Sequence, residues 1–236
     1  MTQRNVDDAE IAKFEALASR WWDPTSEFKP LHDINPLRAN WIDDFAHVDT
    51  KQLLDVGCGG GLIAEAMAWR GAKVKGIDMG EAPLNVAKIH RLESELDIDY
   101  EQITAEELAE REPGHYDVVC CLEMLEHVPD PSAVIAACAA LAKPGAHLFF
   151  STINRNPKAF AFAIVGAEYV LNMLPRGTHE YSKFIRPSEL GRWIRDAGLQ
   201  LTDMTGLTYN PITKHYRLNS NDVSVNYMVR AVKPAA

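Results

Sequence analysis

The chain has 236 residues, 47% of them hydrophobic, and a formal net charge of −9 at pH 7. This length suits one domain with a sizeable core and is short for two full domains. The excess of acidic residues argues against a nucleic-acid partner, because phosphate backbones are bound through clustered lysine and arginine. A polar N-terminus and the lack of an apolar run long enough to cross a bilayer predict a cytoplasmic protein.

The first part of the sequence, residues 1–50, predicts a helical cap. The apolar positions of its first helix share one face and are Ile11, Phe14, Leu17, Ala18 and Trp21. Asp7 and Asp8 precede this face, as polar residues often do at the start of a helix. A second helix is predicted after Pro36, and its apolar positions are Leu37, Trp41, Ile42 and Phe45.

Strands and helices alternate strictly through residues 51–153, the predicted core of the fold. The predicted strands are 51–56, 72–78, 97–103, 116–122 and 146–153. The predicted helices between them are 62–70, 82–96, 105–111 and 131–143. Alternation of this kind is typical of a parallel sheet that helices cover on both faces.

The remaining segments complete the predicted fold. Residues 154–186 form an apolar, helical insertion after the fifth strand, and residues 187–236 begin with a helix. Residues 200–209 and 223–232 predict two last strands, of which the second alternates as an antiparallel edge or near-edge strand would. We therefore expect a single α/β domain over 1–236, with a Rossmann-like, doubly wound mixed sheet of seven strands.

A glycine-rich turn follows the first strand in LLDVGCGGG, residues 53–61. Glycine permits a tight turn and lets a ligand approach the backbone closely, so Gly57 and Gly59 are candidate ligand contacts. Asp78 ends the second strand 21 residues after Gly57, where a carboxylate can accept hydrogen bonds from both hydroxyls of a ribose. Leu62 replaces the third glycine of the dinucleotide GxGxxG pattern, which disfavours a cofactor with a pyrophosphate.

Several segments resemble the motifs of class I S-adenosylmethionine-dependent methyltransferases. These are DVGCGGG, the strand-end Asp78, YDVVCCLEMLEHV and LAKPGAHLFF. Strings outside this core narrow the resemblance to the ubiquinone-biosynthesis O-methyltransferases, and they include EIAKFEALASRWWDP, FKPLHDINPLR, VGAEYVL, GTHEYSKFIRPSEL and VNYM. The resemblance covers nearly the whole chain and implies that residues 51–153 are the cofactor-binding core.

The resemblance implies S-adenosylmethionine as the cofactor and assigns its contacts. Arg38, Gly57, Asp78 and Leu122 match the cofactor-contacting positions of the family. A guanidinium can bind the methionine carboxylate through two hydrogen bonds, which suits Arg38 to that group, and a surface arginine is the alternative. Leu122 would form an apolar wall for the adenine ring, and Glu106 would lie near the adenine amino group.

Glu123, Glu126 and His127 follow the fourth strand and would point toward the transferred methyl group. A phenol has a pKa of about 10, so a base or a metal ion must help it to lose its proton. His127 and Glu126 are therefore the candidate catalytic residues. All three side chains are candidate ligands of a divalent cation such as Mg²⁺. The alternative is two loop carboxylates and a core or capping histidine.

Residues 157–175 predict an apolar helix within the insertion. The positions on its apolar face are Phe160, Ile164, Ala167, Val170, Leu171 and Leu174, with Glu168 and Asn172 opposite. The segment 154–186 holds five basic and two acidic residues, although the whole chain is acidic. A basic, apolar stretch suits contact with an anionic bilayer surface, and a lid on the active site is an equally favoured alternative.

The resemblance implies O-methylation of phenolic hydroxyls on polyprenylated intermediates of ubiquinone synthesis, namely a polyprenyl hydroxyphenol and demethylubiquinol. The basic, apolar insertion predicts peripheral association with the inner membrane, and other ubiquinone-synthesis enzymes are candidate partners. The residues alone leave two rival functions open. One is a methyltransferase of the same fold that acts on a soluble small molecule, and the other is a non-catalytic lipid- or nucleotide-binding module.

Overall fold

The structure, a computed structural model, describes residues 4–161, 180–210 and 212–235. Its helices are α1 Asp8–Leu17, α2 Lys29–Ala46, α3 Leu62–Ala68, α4 Glu81–Glu93, α5 Ala105–Arg111, α6 Pro131–Leu141, α7 Pro157–Ala159 and α8 Pro187–Asp196. Its strands are β1 Gln52–Val56, β2 Lys73–Asp78, β3 Ile98–Gln102, β4 Tyr116–Leu122, β5 Ala142–Ile153, β6 Gln200–Asn210, β7 His215–Asn219 and β8 Asn226–Val232. Short 3₁₀ turns cover Ala18–Arg20, Leu125–His127 and Tyr181–Lys183.

The strands form one mixed sheet in the order β3-β2-β1-β4-β5-β8-β6-β7. Strands β1 to β5 pair in parallel, whereas β8 pairs antiparallel with both β5 and β6, and β7 with β6. The strand order reverses between β1 and β4. Sheets of this kind open a crevice at that point, beside the carboxyl ends of the strands.

Helices cover both faces of the sheet, as the alternating sequence predicts. On one face α5, α6 and α8 bury Leu108, Ile135 and Ile194 in a single apolar cluster. On the other face α2 and α3 bury Ile42 and Met67 in a second cluster. The doubly wound, Rossmann-like α/β fold predicted from the sequence is confirmed.

Over the described residues the sheet has eight strands rather than the predicted seven. The additional strand, β7, lies at the edge beside β6, and none of its five residues is buried. Its two apolar residues, Tyr216 and Leu218, are only partly buried, and an alternation this short is too weak to predict a strand. The antiparallel strand predicted over 223–232 is β8, which lies between β5 and β6 and buries Tyr227, Met228 and Val229.

The second N-terminal helix begins earlier than predicted. α2 starts at Lys29 and runs through Pro36, which the prediction placed before its first turn. Proline inside a helix removes one backbone hydrogen bond, so other contacts must compensate. Ile34, Ala39 and Ile42 are buried along α2, which packs on α3 and on the sheet.

The N-terminal residues cover the turn that connects β1 to α3. Asp7 is the N-cap of α1, and its side chain accepts two backbone N–H groups of the first turn at 3.1 and 3.3 Å. After α1, a 3₁₀ turn brings Trp21 against Phe28, with the ring centroids 4.2 Å apart. Both rings join an apolar cluster with Leu62, the first residue of α3.

Most of the predicted insertion helix lies outside the described residues, so its apolar face stays a prediction. The positions concerned are Ile164, Ala167, Glu168, Val170, Leu171, Asn172, Leu174 and Arg176. Phe160 is described, is 43% exposed and meets Tyr181 edge-on, with the ring centroids 5.6 Å apart. Within the part of the chain that the structure describes, no helix is long and apolar enough to cross a membrane.

Replacing Asp130 with alanine is expected to destabilise the fold by about 0.5–2 kcal/mol, because the N-cap of α6 loses its acceptor. The carboxylate accepts the backbone N–H groups of Ser132 and Ala133 at 3.0 and 3.3 Å. A hydrogen bond from the Ser132 side chain is the main cause that lowers the pKa of Asp130. The stabilisation is therefore present at neutral pH and is lost as pH falls through the folded-state pKa.

Urea unfolding of wild type and Asp130→Ala at neutral and acidic pH measures both effects. Asp97→Ala, in an exposed loop, is the matched control. If the free energies of unfolding of wild type and Asp130→Ala differ by the same amount at both pH values, the role of the charged carboxylate is contradicted.

Candidate functional site

A cavity opens at the carboxyl ends of β1, β2 and β4, where the strand order reverses. The sequence-predicted residues that line it are Arg38, Gly57, Gly59, Asp78, Glu106, Leu122, Glu123 and His127. Glu126 does not line it. The structure therefore brings the predicted cofactor contacts and His127 together around one cavity.

The turn between β1 and α3 has a backbone that favours glycine. Gly57, Gly59 and Gly61 have positive φ angles of 71°, 51° and 91°, in the region where other residues are strained. A Cβ atom on Gly57 would lie 2.4 Å from Met124 Cγ, and one on Gly59 would lie 2.1 Å from Trp21 Cζ2. These glycines are therefore required by packing within the protein, whether or not a ligand approaches them.

Asp78 holds two neighbouring loops of the cavity wall. One carboxylate oxygen accepts the backbone N–H of Gly59 at 2.9 Å, and the other accepts that of Gly80 at 2.8 Å. Burial raises the pKa of the Asp78 carboxyl, and the backbone N–H groups oppose that rise. A carboxylate oxygen has more than one lone pair, so Asp78 can still accept hydrogen bonds from a ligand.

Two buried charges of opposite sign, Arg38 and Asp55, lie in the cavity wall. Nε of Arg38 and Oδ2 of Asp55 have no hydrogen-bond partner among the described residues, and Nη2 of Arg38 donates to Asn35 at 3.3 Å. Burial raises the pKa of Asp55 to about 7, while the Arg38 charge opposes the rise. Unpaired buried polar atoms cost free energy, so this part of the cavity suits a ligand that carries charge.

Leu122 and Glu106 lie on the cavity wall at the positions predicted to face adenine. Leu122 is the last residue of β4 and is buried. Glu106 lies in the first turn of α5, and its carboxylate accepts the side-chain amide of Asn5 at 3.0 Å. The placement is compatible with an adenine site, and both roles stay predictions.

Glu123 follows β4 in a left-handed conformation with a φ angle of 52°. A residue with a side chain is strained there, so the surroundings must hold it. The Ser151 hydroxyl donates to one of its carboxylate oxygens at 2.6 Å, and the Asn226 amide donates to the other at 2.8 Å. These contacts fix the path of the chain from β4 to His127.

Glu126 is buried, and its carboxylate accepts the hydroxyl of Thr152 at 2.8 Å. Burial, with the Glu123 charge as a second cause, raises the pKa of Glu126 to about 7. Because its side chain does not line the cavity, the structure gives no support to a catalytic contact between Glu126 and a bound acceptor. The predicted catalytic role of Glu126 stays untested.

His127 lines the cavity from the 3₁₀ turn after β4. Its Nδ1 lies 2.9 Å from a carboxylate oxygen of Glu10, on α1. The imidazole also meets Phe14 edge-on, with the ring centroids 5.0 Å apart. The ring is therefore held from the N-terminal helix, and Nε2 is the nitrogen left for a ligand in the cavity.

The predicted metal site is not supported. Among residues 4–161, 180–210 and 212–235, no group of three or more His, Cys, Asp or Glu side chains could hold a metal ion. The Glu123, Glu126 and His127 side chains each hydrogen-bond to a different protein partner, Ser151, Thr152 and Glu10 respectively. In this arrangement the three side chains do not fit Mg²⁺, an ion that requires nearly octahedral oxygen ligands.

Several residues line the cavity although sequence reasoning did not assign them to it. Glu10, Trp21 and Asp55 are among them. The signal for Asp55 was available, because it is an acidic residue within the apolar strand LLDV. Glu10 and Trp21 reach the cavity only through tertiary contacts, and Glu10 is 117 positions from His127. No local pattern in the sequence could reveal the contact between Glu10 and His127.

Comparison with known sequences shows the family. A family model described as a methyltransferase domain matches residues 31–203. A ubiquinone biosynthesis O-methyltransferase from Pseudomonas syringae pv. tomato is 70% identical over 231 residues, which cover 98% of this chain and 99% of the relative. One of the same name from Stutzerimonas stutzeri is 70% identical over 229 residues, covering 97% and 98%.

Solved methyltransferase structures share the fold. Magnesium protoporphyrin IX methyltransferase from Synechocystis, with bound SAH, superposes with a TM-score of 0.70 at 19% identity and covers 94% of both chains. A SAM-dependent methyltransferase from Thermotoga maritima gives a TM-score of 0.69 at 15% identity, covering 95% of this chain and 99% of that one. The sequence relatives, which are far more similar than the solved structures, show the family. The chain belongs to the ubiquinone-biosynthesis O-methyltransferases and is an S-adenosylmethionine-dependent methyltransferase.

Proposed function

We propose that the chain transfers a methyl group to a phenolic hydroxyl of a polyprenylated intermediate of ubiquinone synthesis. The proposed acceptors are a polyprenyl hydroxyphenol and demethylubiquinol, in keeping with the name of its relatives. One observation carries the proposal: Arg38, the Asp78 carboxylate and the His127 imidazole line the same cavity. The first two groups suit a charged donor with a ribose, and the third suits the removal of a proton.

The groups that the cavity leaves unpaired fit S-adenosylmethionine. Arg38 is buried with an unpartnered Nε and can bind the methionine carboxylate. Asp78 can accept the ribose hydroxyls with the lone pairs that the backbone N–H groups leave over. Leu122 would pack on the adenine ring, and Glu106 would accept its amino group. When bound, S-adenosylmethionine supplies an electrophilic methyl group on a sulfonium.

The protein aligns the acceptor and takes its proton. The phenol oxygen forms a bond to the methyl carbon while the carbon–sulfur bond breaks. The electron pair of the broken carbon–sulfur bond stays on the sulfur. Because oxygen, carbon and sulfur must lie in line, holding the acceptor in place is the main task of the cavity. The phenol proton moves to Nε2 of His127, whose Nδ1 is held by Glu10.

We further propose that the chain meets its acceptor at the anionic, cytoplasmic face of the inner membrane. An isoprenoid tail keeps the acceptor in the bilayer, since each buried CH₂ contributes roughly 0.8 kcal/mol. Residues 157–175 supply apolar side chains for docking. Two basic residues at the start of the insertion already have acidic partners. Arg155 pairs with Glu189, and Lys158 pairs with Asp222 at 3.1 Å. We therefore expect apolar contacts to contribute more to attachment than these two charges.

Changing Asp78 to alanine should weaken S-adenosylmethionine binding, because the ribose hydroxyls lose a charged acceptor. Hydrogen bonds to charged groups contribute about 1.5–3 kcal/mol each, so the dissociation constant should rise at least about tenfold. Calorimetric titration measures the affinity, and thermal unfolding without ligand measures the separate loss of the contacts to Gly59 and Gly80. Asp97→Ala is the control, and an unchanged affinity in Asp78→Ala would remove Asp78 from the ribose site.

Changing His127 to alanine should lower kcat by about 10²-fold or more with little effect on S-adenosylmethionine affinity, since a general base contributes about 10²–10⁴-fold. Mass spectrometry follows product formation with a polyprenyl catechol in detergent micelles as the acceptor. His215→Ala, at the exposed start of β7, is the matched control.

Full turnover by His127→Ala would end the assignment of His127 as base. Wild-type activity on soluble catechols alone, with none on the polyprenyl acceptor, would contradict the proposed acceptor class. Loss of activity with a chelator and its recovery with Mg²⁺ would restore the metal assignment that the geometry does not support.

Sedimentation with vesicles tests the membrane proposal. We expect wild type to pellet with vesicles that contain anionic lipid, and a variant with Phe160→Ser, Ile164→Ser and Leu171→Ser to stay in the supernatant, because apolar side chains carry the attachment. The control makes the same change at three exposed apolar residues elsewhere, Trp69, Ile89 and Leu92. Equal pelleting of wild type and the insertion variant would leave 157–175 as an active-site lid.

A further inference from the structure

Glu10 is the buried residue of α1, a helix whose other side chains are exposed or partly buried. A carboxylate is rarely buried unless it is paired. Glu10 has three partners: Nδ1 of His127 at 2.9 Å, Nζ of Lys13 at 2.9 Å and Nζ of Lys183 at 3.0 Å. One carboxylate thereby joins α1, the turn that carries His127 and the 3₁₀ turn Tyr181–Lys183.

We propose that Glu10 is a positioning residue that holds His127 with Nδ1 protonated and with Nε2 facing the acceptor. The inference rests on the proposed role of His127 as base. A neutral imidazole carries one proton, and the hydrogen bond made by one nitrogen decides which nitrogen holds it. Because an ionised carboxylate can only accept, Nδ1 beside Glu10 must be the donor. Nε2 then has the lone pair that a base needs.

The surroundings of Glu10 keep its carboxylate ionised. The hydrogen bond to His127 is the largest cause that lowers the pKa of Glu10, and the bonds from Lys13 and Lys183 lower it further against the effect of burial. Lys183 also pairs with Asp7, the N-cap of α1, at 3.0 Å. The Glu10 carboxylate, which accepts the hydrogen bond from Nδ1, is therefore kept ionised and held in position.

Phe14, one turn after Glu10 on α1, adds a second constraint on the imidazole. Its ring meets that of His127 at an interplanar angle of 88°, the edge-to-face arrangement that aromatic rings favour. A hydrogen bond fixes one ring atom, and the edge contact restricts rotation of the ring about that bond. Both constraints come from α1, so the direction of Nε2 depends on the docking of this helix.

The test compares Glu10→Gln with Glu15→Gln, the same change at an exposed position of the same helix. Glu15 also ties α1 to another element, since it accepts the backbone N–H of Glu81 at 3.2 Å. A glutamine amide can donate as well as accept, so Glu10→Gln removes the preference for a proton on Nδ1. Heteronuclear NMR of the imidazole nitrogens reports the tautomer of His127, at a pH where the ring is neutral.

We expect Glu10→Gln to show a mixture of His127 tautomers and a kcat lower by at least about 10-fold, since loss of the carboxylate that orients a catalytic histidine can cost up to about 10⁴-fold. S-adenosylmethionine affinity should change little, because the partners of Glu10 are His127, Lys13 and Lys183 and none of them is a proposed cofactor contact. Glu15→Gln should match wild type in all three measurements. If Glu10→Gln does not fold, Glu10→Asp keeps the charge, withdraws the carboxylate from Nδ1 and is judged by the same measurements.

A wild-type tautomer and kcat in Glu10→Gln would overturn the inference. Equal losses of kcat in Glu10→Gln and Glu15→Gln with an unchanged tautomer would also overturn it, because both glutamates would then only anchor α1. The proposed function fails by a different result, which is full turnover in His127→Ala. Loss of turnover in His127→Ala together with normal turnover in Glu10→Gln would remove the positioning role alone.

Discussion

The wall of the cavity beside β1 and β2 depends on one carboxylate, that of Asp78. It accepts N–H groups from Gly59 and Gly80, which lie on the loops that lead into α3 and α4. Backbone N–H groups near the start of a helix have no partner within the helix, so an acceptor there stabilises both loops. Since the same carboxylate faces the cavity, the group that shapes the site is also the group proposed to bind the ribose.

Buried charge is concentrated around this cavity. Arg38 and Asp55 are buried with unpaired atoms, and Asp55 has its pKa raised to about 7 by burial. An ionised carboxyl in such a place costs stability, and an arriving opposite charge offsets the cost. In the proposed complex the donor carries a carboxylate, an ammonium and a sulfonium. The arrangement is unfavourable for the empty protein and favourable for a charged ligand, as is common at functional sites.

Sequence reasoning could place the parts of the site that lie on one local motif. Gly57, Gly59 and Asp78 follow from a strand, a turn and a helix that are neighbours in the chain, and the alternating pattern places the sheet around them. Strand β7 could not be predicted, because its alternation is short and consists of two partly buried residues, Tyr216 and Leu218. The hydrogen bonds that hold Glu123 and Glu126 could not be predicted either, since their donors lie on β5 and β8.

The N-terminal residues, predicted as a cap, belong to the site itself. Trp21 packs so closely on Gly59 that a Cβ there would lie 2.1 Å from its ring. Glu10 holds Nδ1 of His127, so the same short stretch of chain contacts both the cofactor loop and the proposed base. α1 and the turn that follows it therefore contact both the glycine turn after β1 and the proposed base.

The hydrogen bonds of Glu10 also reach the part of the chain that follows the insertion. Lys183 bonds to Glu10, and Glu10 bonds to His127, so one carboxylate separates that segment from the proposed base. Energetic coupling between distant sites can be carried by packed or hydrogen-bonded groups that connect them. Here the Lys183–Glu10 and Glu10–His127 pairs form that connection.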